Sequence, residues 1–407
     1  GFAASYCVVM RPRPGTLEWL TRTSRPDRVR FTARCHPMTR RGALPLLLVT
    51  AVYAFVAFFH LGSLTNPQSW YCFEEEGTVL EFDLGQDMEI GRIVYYTGIG
   101  SGEVLVEVSL DGESYRDYAT IDQAYNQILK WHELYPGNAE AEEGDTDWQA
   151  PEPVAARYLR LTCQDISSRH TGLYLGELAV YSADGTMADS GRILQGMVAA
   201  DRYEGMALFD EQDTVPERIG WENSAYFDEI YHPRTAYEHT IGAYPYEVSH
   251  PPLGKLIMSL GIQLFGMTPF GWRFMGTLFG VLMLPILYVF LKNLFGRTAL
   301  AFCGAVLFAF DFMHFSQTRL ATIDTYGVFF LLYLYFFLYR WLSQAPGTPF
   351  RRSLLPLFLA GLSFGLGCAS KWTVVYGTAG AVILYFLNLW TKGRDWNGRG
   401  FWPWAWK

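Results

Sequence analysis

Tyr226-Phe-Asp-Glu-Ile-Tyr-His232 is followed, a short way along the chain, by His250-Pro-Pro-Leu-Gly-Lys255 and then by hydrophobic spans. An acidic pair, histidines and a lysine thus stand just ahead of apolar sequence, where charge is expensive and is usually kept for function. Asp228 and Glu229 lie among Tyr226, Phe227, Ile230 and Tyr231. Such surroundings can desolvate a carboxylate and raise its basicity, as a general base requires. The competing reading is a solvated acidic pair that caps a short helix. The two prolines after His250 pre-set the start of a helix. Leu256, Ile257, Leu260, Ile262, Leu264 and Phe265 give that helix a broad apolar surface suited to a membrane interface. Lys255 is then either a site cation or a lysine that snorkels to the interface.

The elements that must carry these residues follow from where the hydrophobicity falls. The chain has 407 residues, half of them hydrophobic and 16% aromatic. An apolar span covers 43–61, a polar and acidic stretch runs from about Thr65 to Ser249, and apolar spans follow at Trp272–Leu291, Thr298–Phe315, Ile323–Tyr339, Leu354–Ala369 and Val374–Trp390. These lengths approach the ~20 residues needed to cross a bilayer. The expected fold is therefore a multi-pass α-helical membrane protein with a soluble domain inserted after its first helix.

Charge orients it. The net charge is −8, yet Arg11, Arg13, Arg22, Arg25, Arg28, Arg30, Arg34, Arg40 and Arg41 precede the first span. Lys292 with Arg297, Arg340 with Arg351 and Arg352, and Lys392 with Arg394 and Arg399 fall in alternate loops after it. One topology satisfies the positive-inside preference: a basic cytoplasmic segment 1–42, the first span 43–61, an outer region through 271, five spans over 272–391, and a cytoplasmic or interfacial tail 392–407 ending in Phe401-Trp-Pro-Trp-Ala-Trp406. Turns at Ser316–Thr322 and Ser370–Thr373 then face outward. Met38-Thr-Arg-Arg41 has the form of a native start, which would make residues 1–37 upstream read-through. A cleaved signal peptide is the rival reading of the first span, but its apolar run is long and no small-x-small site follows. Arginines that abut a hydrophobic span read as topology signals rather than as a nucleic-acid arm, so no nucleic-acid partner is expected.

Six cysteines do not make a disulfide scaffold, although Cys72 and Cys163 both fall in the outer domain, where pairing stays open. No structural-zinc spacing and no glycine-rich phosphate loop is present, so nucleotide-driven chemistry is not expected, and although Asp228, Glu229 and His250 could bind a divalent cation, no regular ligand spacing demands one.

The insert reads as all-β. Val79–Leu84, Arg92–Tyr96, Val104–Leu110 and Tyr158–Thr162 are β-branched or aromatic runs separated by Gly and Asp, and Asp111-Gly112 marks a tight turn. Together with Leu110-Asp-Gly-Glu-Ser-Tyr115, Ala156-Arg-Tyr-Leu-Arg-Leu161 and Leu175-Gly-Glu-Leu-Ala-Val-Tyr181, they resemble the discoidin, or coagulation-factor type C, domains over residues 66–185. The resemblance implies a jelly-roll β-sandwich of the galactose-binding-like superfamily, whose end loops often hold a glycan. A spacer role is the equal alternative. Trp131 and Trp148 are stacking candidates, and aromatic residues are equally ordinary core.

The acidic pair after the first span, His250-Pro-Pro-Leu-Gly-Lys255, Gln317-Thr-Arg-Leu-Ala-Thr-Ile-Asp324 and Ser370-Lys-Trp372 together resemble the protein O-mannosyltransferases, membrane glycosyltransferases of the GT-C class. That resemblance spans roughly residues 40–60 and 200–391. It implies transfer of mannose, with inversion, from a polyprenyl-phosphate carrier to Ser or Thr hydroxyls on the extracytoplasmic face, with no cofactor beyond the lipid-linked donor and with membrane lipid around the helices. Asp228 would be the catalytic carboxylate and Glu229 its neighbour. Arg319 and Lys371 would face the lipid phosphate, and His250, Lys255 and Asp324 complete the expected donor site. Arg319 and Asp324 also have a structural reading, as an ion pair at a helix entrance. The discoidin-like insert and the lack of the family's later membrane and outer-loop sequence depart from the pattern, so an incomplete acceptor site is expected.

The chemistry follows from the donor. A sugar on a lipid phosphate already has a good leaving group, so the site needs a base for the acceptor hydroxyl and fixed positive charge for the departing phosphate. A related enzyme that glycosylates lipid A or a wall polymer is the runner-up. A membrane-anchored lectin without catalysis comes third, because clustered charges on several spans exceed what an anchor requires.

Overall fold

A computed structural model describes residues 35–38, 40–140, 148–168, 171–195, 205–344, 348 and 350–395. The arginine-rich segment before Cys35 and the closing aromatic segment with Arg399 lie outside the described residues.

Helix α1 (Arg40–Phe58) leads into the sandwich, whose strands are β1 (Tyr71–Phe73), β2 (Val79–Thr97), β3 (Gly102–Ser109), β4 (Arg116–Gln123), β5 (Trp131–Leu134), β6 (Val154–Ile166) and β7 (Leu173–Ser182). All pairings are antiparallel, in the order β1-β7-β2-β6-β3-β4, with β5 also on β2. The runs 79–84 and 92–96 belong to one long strand. β2 pairs with β6 through Val79–Ile90 and with β7 through Ile90–Thr97, and its register breaks between Asp83 and Met88. Gly85 supplies the left-handed backbone at that break, with φ 79°. Alternate residues of these strands, among them Phe82, Val106, Leu159 and Leu178, point into one core that Phe73 and Phe209 complete. Asp111 shapes the expected β3–β4 turn, accepting the N–H groups of Glu113 and Ser114 on one carboxylate oxygen. Cys72 and Cys163 are both thiols; their strands β1 and β6 are separated in the ladder by β7 and β2.

After a short helix α2 (Ser190–Gln195) come α3 (His232–Ile241), α4 (Leu253–Phe265), α5 (Pro269–Phe295), α6 (Thr298–Ala309), α7 (Phe312–Arg319), α8 (Asp324–Leu342), α9 (Phe350–Ser370) and α10 (Val374–Asp395). Among the described residues, three helices are long and apolar enough to cross a membrane: α5, α8 and the Arg351–Ser370 part of α9. The expected single span 298–315 is instead a broken pair, with α6 and α7 bent by 56°. Asp311 causes the break, because its carboxylate accepts the N–H of His314 at 2.8 Å and caps a new helix. The residues expected in an outer turn, Ser316–Arg319, are therefore helical. The apolar stretches Gly42–Phe58 and Val374–Trp390, expected as the first and last spans, are shorter than the other three.

The two parts share a core. Ile99, Ile128 and Leu129, from loops at one end of the sandwich, are buried with Ala225, Ile230, Met258, Trp272, Ile323 and Tyr326 of the helical part.

Candidate active site

The acidic motif forms a single 3₁₀ turn, Phe227–Ile230, entered from extended Tyr226. Phe227 adopts φ 54°, a strained conformation for a bulky side chain and one that tends to be retained at functional positions. The turn separates the acidic pair. Glu229 is fully buried. Its carboxylate accepts Arg273 Nε at 2.7 Å and Nη2 at 2.5 Å, the Tyr226 N–H at 2.9 Å and the Ala321 N–H at 2.9 Å. Arg273 spends its remaining donors on the carbonyls of Leu61, Trp221 and Ser224. Glu229, expected beside Asp228 in the catalytic pair, is thus enclosed by protein and ties the motif to α5 and to the segment leading to Asp324.

Asp228 is half-buried. Burial raises its pKa, the Asp324 charge adds to the rise, and Lys371 and His250 oppose it. Lys371 Nζ lies 2.5 Å from Asp324 Oδ1. His250 Nδ1 sits 3.1 Å from Glu247 Oε1 and 3.0 Å from Ser249 Oγ. Lys255 does not snorkel: it is buried, paired with Glu247, and donates to the carbonyls of Glu247 at 2.5 Å and His250 at 3.3 Å. Although burial acts to raise the Glu247 pKa, hydrogen bonds from Lys255, Ser249 and His250 hold it down at about 2. Trp372 donates its indole N–H to the Ser249 carbonyl at 3.3 Å, tying the Ser370-Lys-Trp motif to the His-Pro-Pro turn.

Arg319 departs from expectation. Its guanidinium donates to the carbonyls of Phe59 and His60 at 3.0 and 2.5 Å, capping the end of α1, whereas the charges that act on Asp228 are those of Asp324, Lys371 and His250. The suggested Arg319–Asp324 pair does not form either. Arg319 closes α7, Asp324 opens α8, and Asp324 pairs with Lys371 instead. Lys371, Asp324, His250 and Asp228 therefore come together, while Lys255 and Glu229 stand behind them as supports.

Sequence reading assigned no role to three residues of this site. Arg273 had a signal, being a lone cation at the start of an apolar span. Glu247 had none beyond its nearness to His250. His232 sits edge-on to the His250 ring at 5.9 Å, and burial depresses its pKa to about 4, so it is neutral. Trp131 proves to be core, packed on Tyr96, and Trp148 stands edge-on to Tyr135. In the sandwich, ligand atoms of Glu177, Asp210 and Glu211 lie within 4.8 Å of one another, the one such cluster among the described residues. Donors of the chain already engage it, including the Glu211 N–H on Glu177 and the Ser69 hydroxyl on Asp210 and Glu211.

Long apolar helices carry a carboxylate and cations at one end, with a β-sandwich docked beside them, an arrangement that fits a membrane protein. Residues 249–406 match the dolichyl-phosphate-mannose-protein mannosyltransferase family, and residues 61–176 match the F5/8 type C domain, so both resemblances drawn from the sequence stand. The chain is 29% identical to the polyprenol-phosphate-mannose–protein mannosyltransferase of Mycobacterium tuberculosis over 145 residues, 32% of this chain and 28% of that one. It is 29% identical to the Corynebacterium glutamicum protein of the same name over 167 residues, 36% of this chain and 32% of that one. It thus spans about a third of the length of these relatives. Among solved structures, the C-terminal domain of a chitobiase from Bacteroides fragilis is similar at 20% identity, with a TM-score of 0.19, over 27% of this chain and 64% of that one.

Proposed function

We propose that the protein is a membrane mannosyltransferase that moves mannose from a polyprenyl-phosphate carrier to Ser or Thr hydroxyls of proteins on the extracytoplasmic face, with inversion. The observation that carries this reading is Asp228: a half-buried carboxylate of raised basicity, opposite a lysine and a histidine. The names of the matched relatives support the donor and the acceptor class.

In this reading Asp228 takes the proton of the acceptor hydroxyl as its oxygen attacks the anomeric carbon. The bond from that carbon to the phosphate oxygen breaks with its electron pair, leaving a lipid phosphate monoester. Attack opposite the leaving group inverts the centre, through an oxocarbenium-like transition state. Lys371 and His250 stabilise the departing phosphate. Asp324 holds Lys371 in place, and Glu247 and Lys255 hold His250. Arg319 is assigned to the support of α1 rather than to the phosphate.

Transfer from polyprenyl-phosphate mannose to Ser/Thr peptides tests the proposal. Asp228→Asn removes the base and is expected to cost ~10²–10⁴-fold in rate, with donor binding retained. Equal turnover by wild type and variant would overturn the assignment. Transfer only to lipid A or a wall polymer would replace the acceptor.

A further inference from the structure

Resting on the transfer reading, we infer that the β4–β5 loop of the sandwich forms one wall of the acceptor site, with Tyr125 as the residue that selects an extended polypeptide. The loop is anchored on both sides. On its own domain, Thr97 Oγ1 donates to the carbonyls of Gln127 and Lys130 at 2.6 and 2.9 Å. Toward the helical part, the Leu129 carbonyl accepts the Ala225 N–H at 2.8 Å, and the Trp131 N–H donates to Ser224 Oγ at 3.0 Å. Ile128 and Leu129 are fully buried in the shared core, with Leu129 at φ 57°. A loop so held cannot swing as a tethered lectin would; it is a fixed part of the surface that leads to Tyr226 and Asp228.

Tyr125 is the aromatic side chain of this loop, with 52% of its surface exposed. Its phenol, that of Tyr246 and the Asp228 carboxylate all act electrostatically on the Tyr231 phenol. Burial raises the Tyr231 pKa, and Tyr125, Tyr246 and Asp228 each add to the rise. The Tyr231 and Tyr246 rings are parallel at 6.3 Å. Tyr226 and Phe227, 58% and 66% exposed, adjoin the carboxylate in the chain. A hydroxyl bound for Asp228 therefore passes aromatic faces contributed by both domains. Flat rings with phenol groups suit a polypeptide, offering apolar contact to its side chains and hydrogen bonds to its backbone at little entropic cost.

The test uses the membrane-embedded protein with polyprenyl-phosphate mannose and a Ser/Thr peptide. Tyr125→Ala should raise the peptide KM about fivefold to tenfold, leaving kcat and the donor KM within about twofold, and Tyr125→Phe should retain most of the wild-type KM. A photo-crosslinking amino acid that replaces Tyr125 should capture the peptide, whereas the same group replacing Leu110, at the far end of the sandwich, should not. Unchanged KM in Tyr125→Ala, or no capture at position 125, overturns the wall. Capture of a polysaccharide in preference to the peptide overturns the polypeptide assignment. Crosslinking does not depend on turnover, so an enzyme that transfers no mannose would sink the transfer reading while this arm still decides the wall.

Discussion

Arg273 places all five of its N–H donors, two on Glu229 and three on carbonyls from two stretches of chain, at Leu61 and at Trp221 and Ser224. Removing one partner of such a buried pair leaves the other uncompensated, at a cost of ~3–5 kcal/mol. Glu229→Ala should therefore lower thermal stability in detergent far more than Asp228→Asn does, and a small effect would show that the pair is not buried in solution. Asp228 makes a separate prediction, in pH. Its raised pKa means that the base form is lost at a higher pH than for an ordinary aspartate, so the rate should fall as pH drops through that raised value. Asp324→Asn removes a charge that raises it and frees Lys371 to lower it, and both effects have the same sign. The acid limb of the pH–rate profile should move to lower pH; a limb that stays or rises would exclude Asp228 as the titrating base. Sequence alone drew attention to the acidic pair because its aromatic neighbours are adjacent in the chain. It could not see that Glu229 is buried by an arginine 44 residues away, nor that Arg319 would meet the end of a helix made much earlier.

Helices and strands were legible where the chain is periodic. The β runs and the helix after His250-Pro-Pro all appear, because alternation and capping are local signals. The break between α6 and α7 was hidden by composition, which stays apolar on both sides of residue 311. A carboxylate within that span was its mark. Asp311→Ala removes the cap and should cost ~1 kcal/mol, read as a lower melting temperature. No loss would mean that the bend is imposed by neighbouring helices such as α5.

At the scale of the whole molecule, what the sequence did not reveal is that the insert and the membrane part share a core. Trp131 was weighed as a stacking surface, yet it belongs to packing that includes Tyr96. Leu129→Ala should cost ~2–4 kcal/mol and should loosen the helical part as well as the sandwich, a coupling that hydrogen exchange would detect around Ala225. Protection lost in the sandwich alone would argue against docking. The sandwich also carries its own pH dependence. Burial raises the Glu177 pKa to about 8, above the ordinary value of 4.5, so the folded state holds this proton more tightly than the unfolded one. The associated stability is present below about pH 4.5 and is lost as pH rises through about 8. Melting temperatures should fall over that window, and Glu177→Gln should flatten the slope.

The shared core also sets an order of events during synthesis. Ile128 and Leu129 leave the ribosome long before Trp272 and Tyr326, which cover them. The nascent sandwich must wait with an oily end uncovered until α5 and α8 have been made, so the junction between the two parts closes only after both have folded in outline.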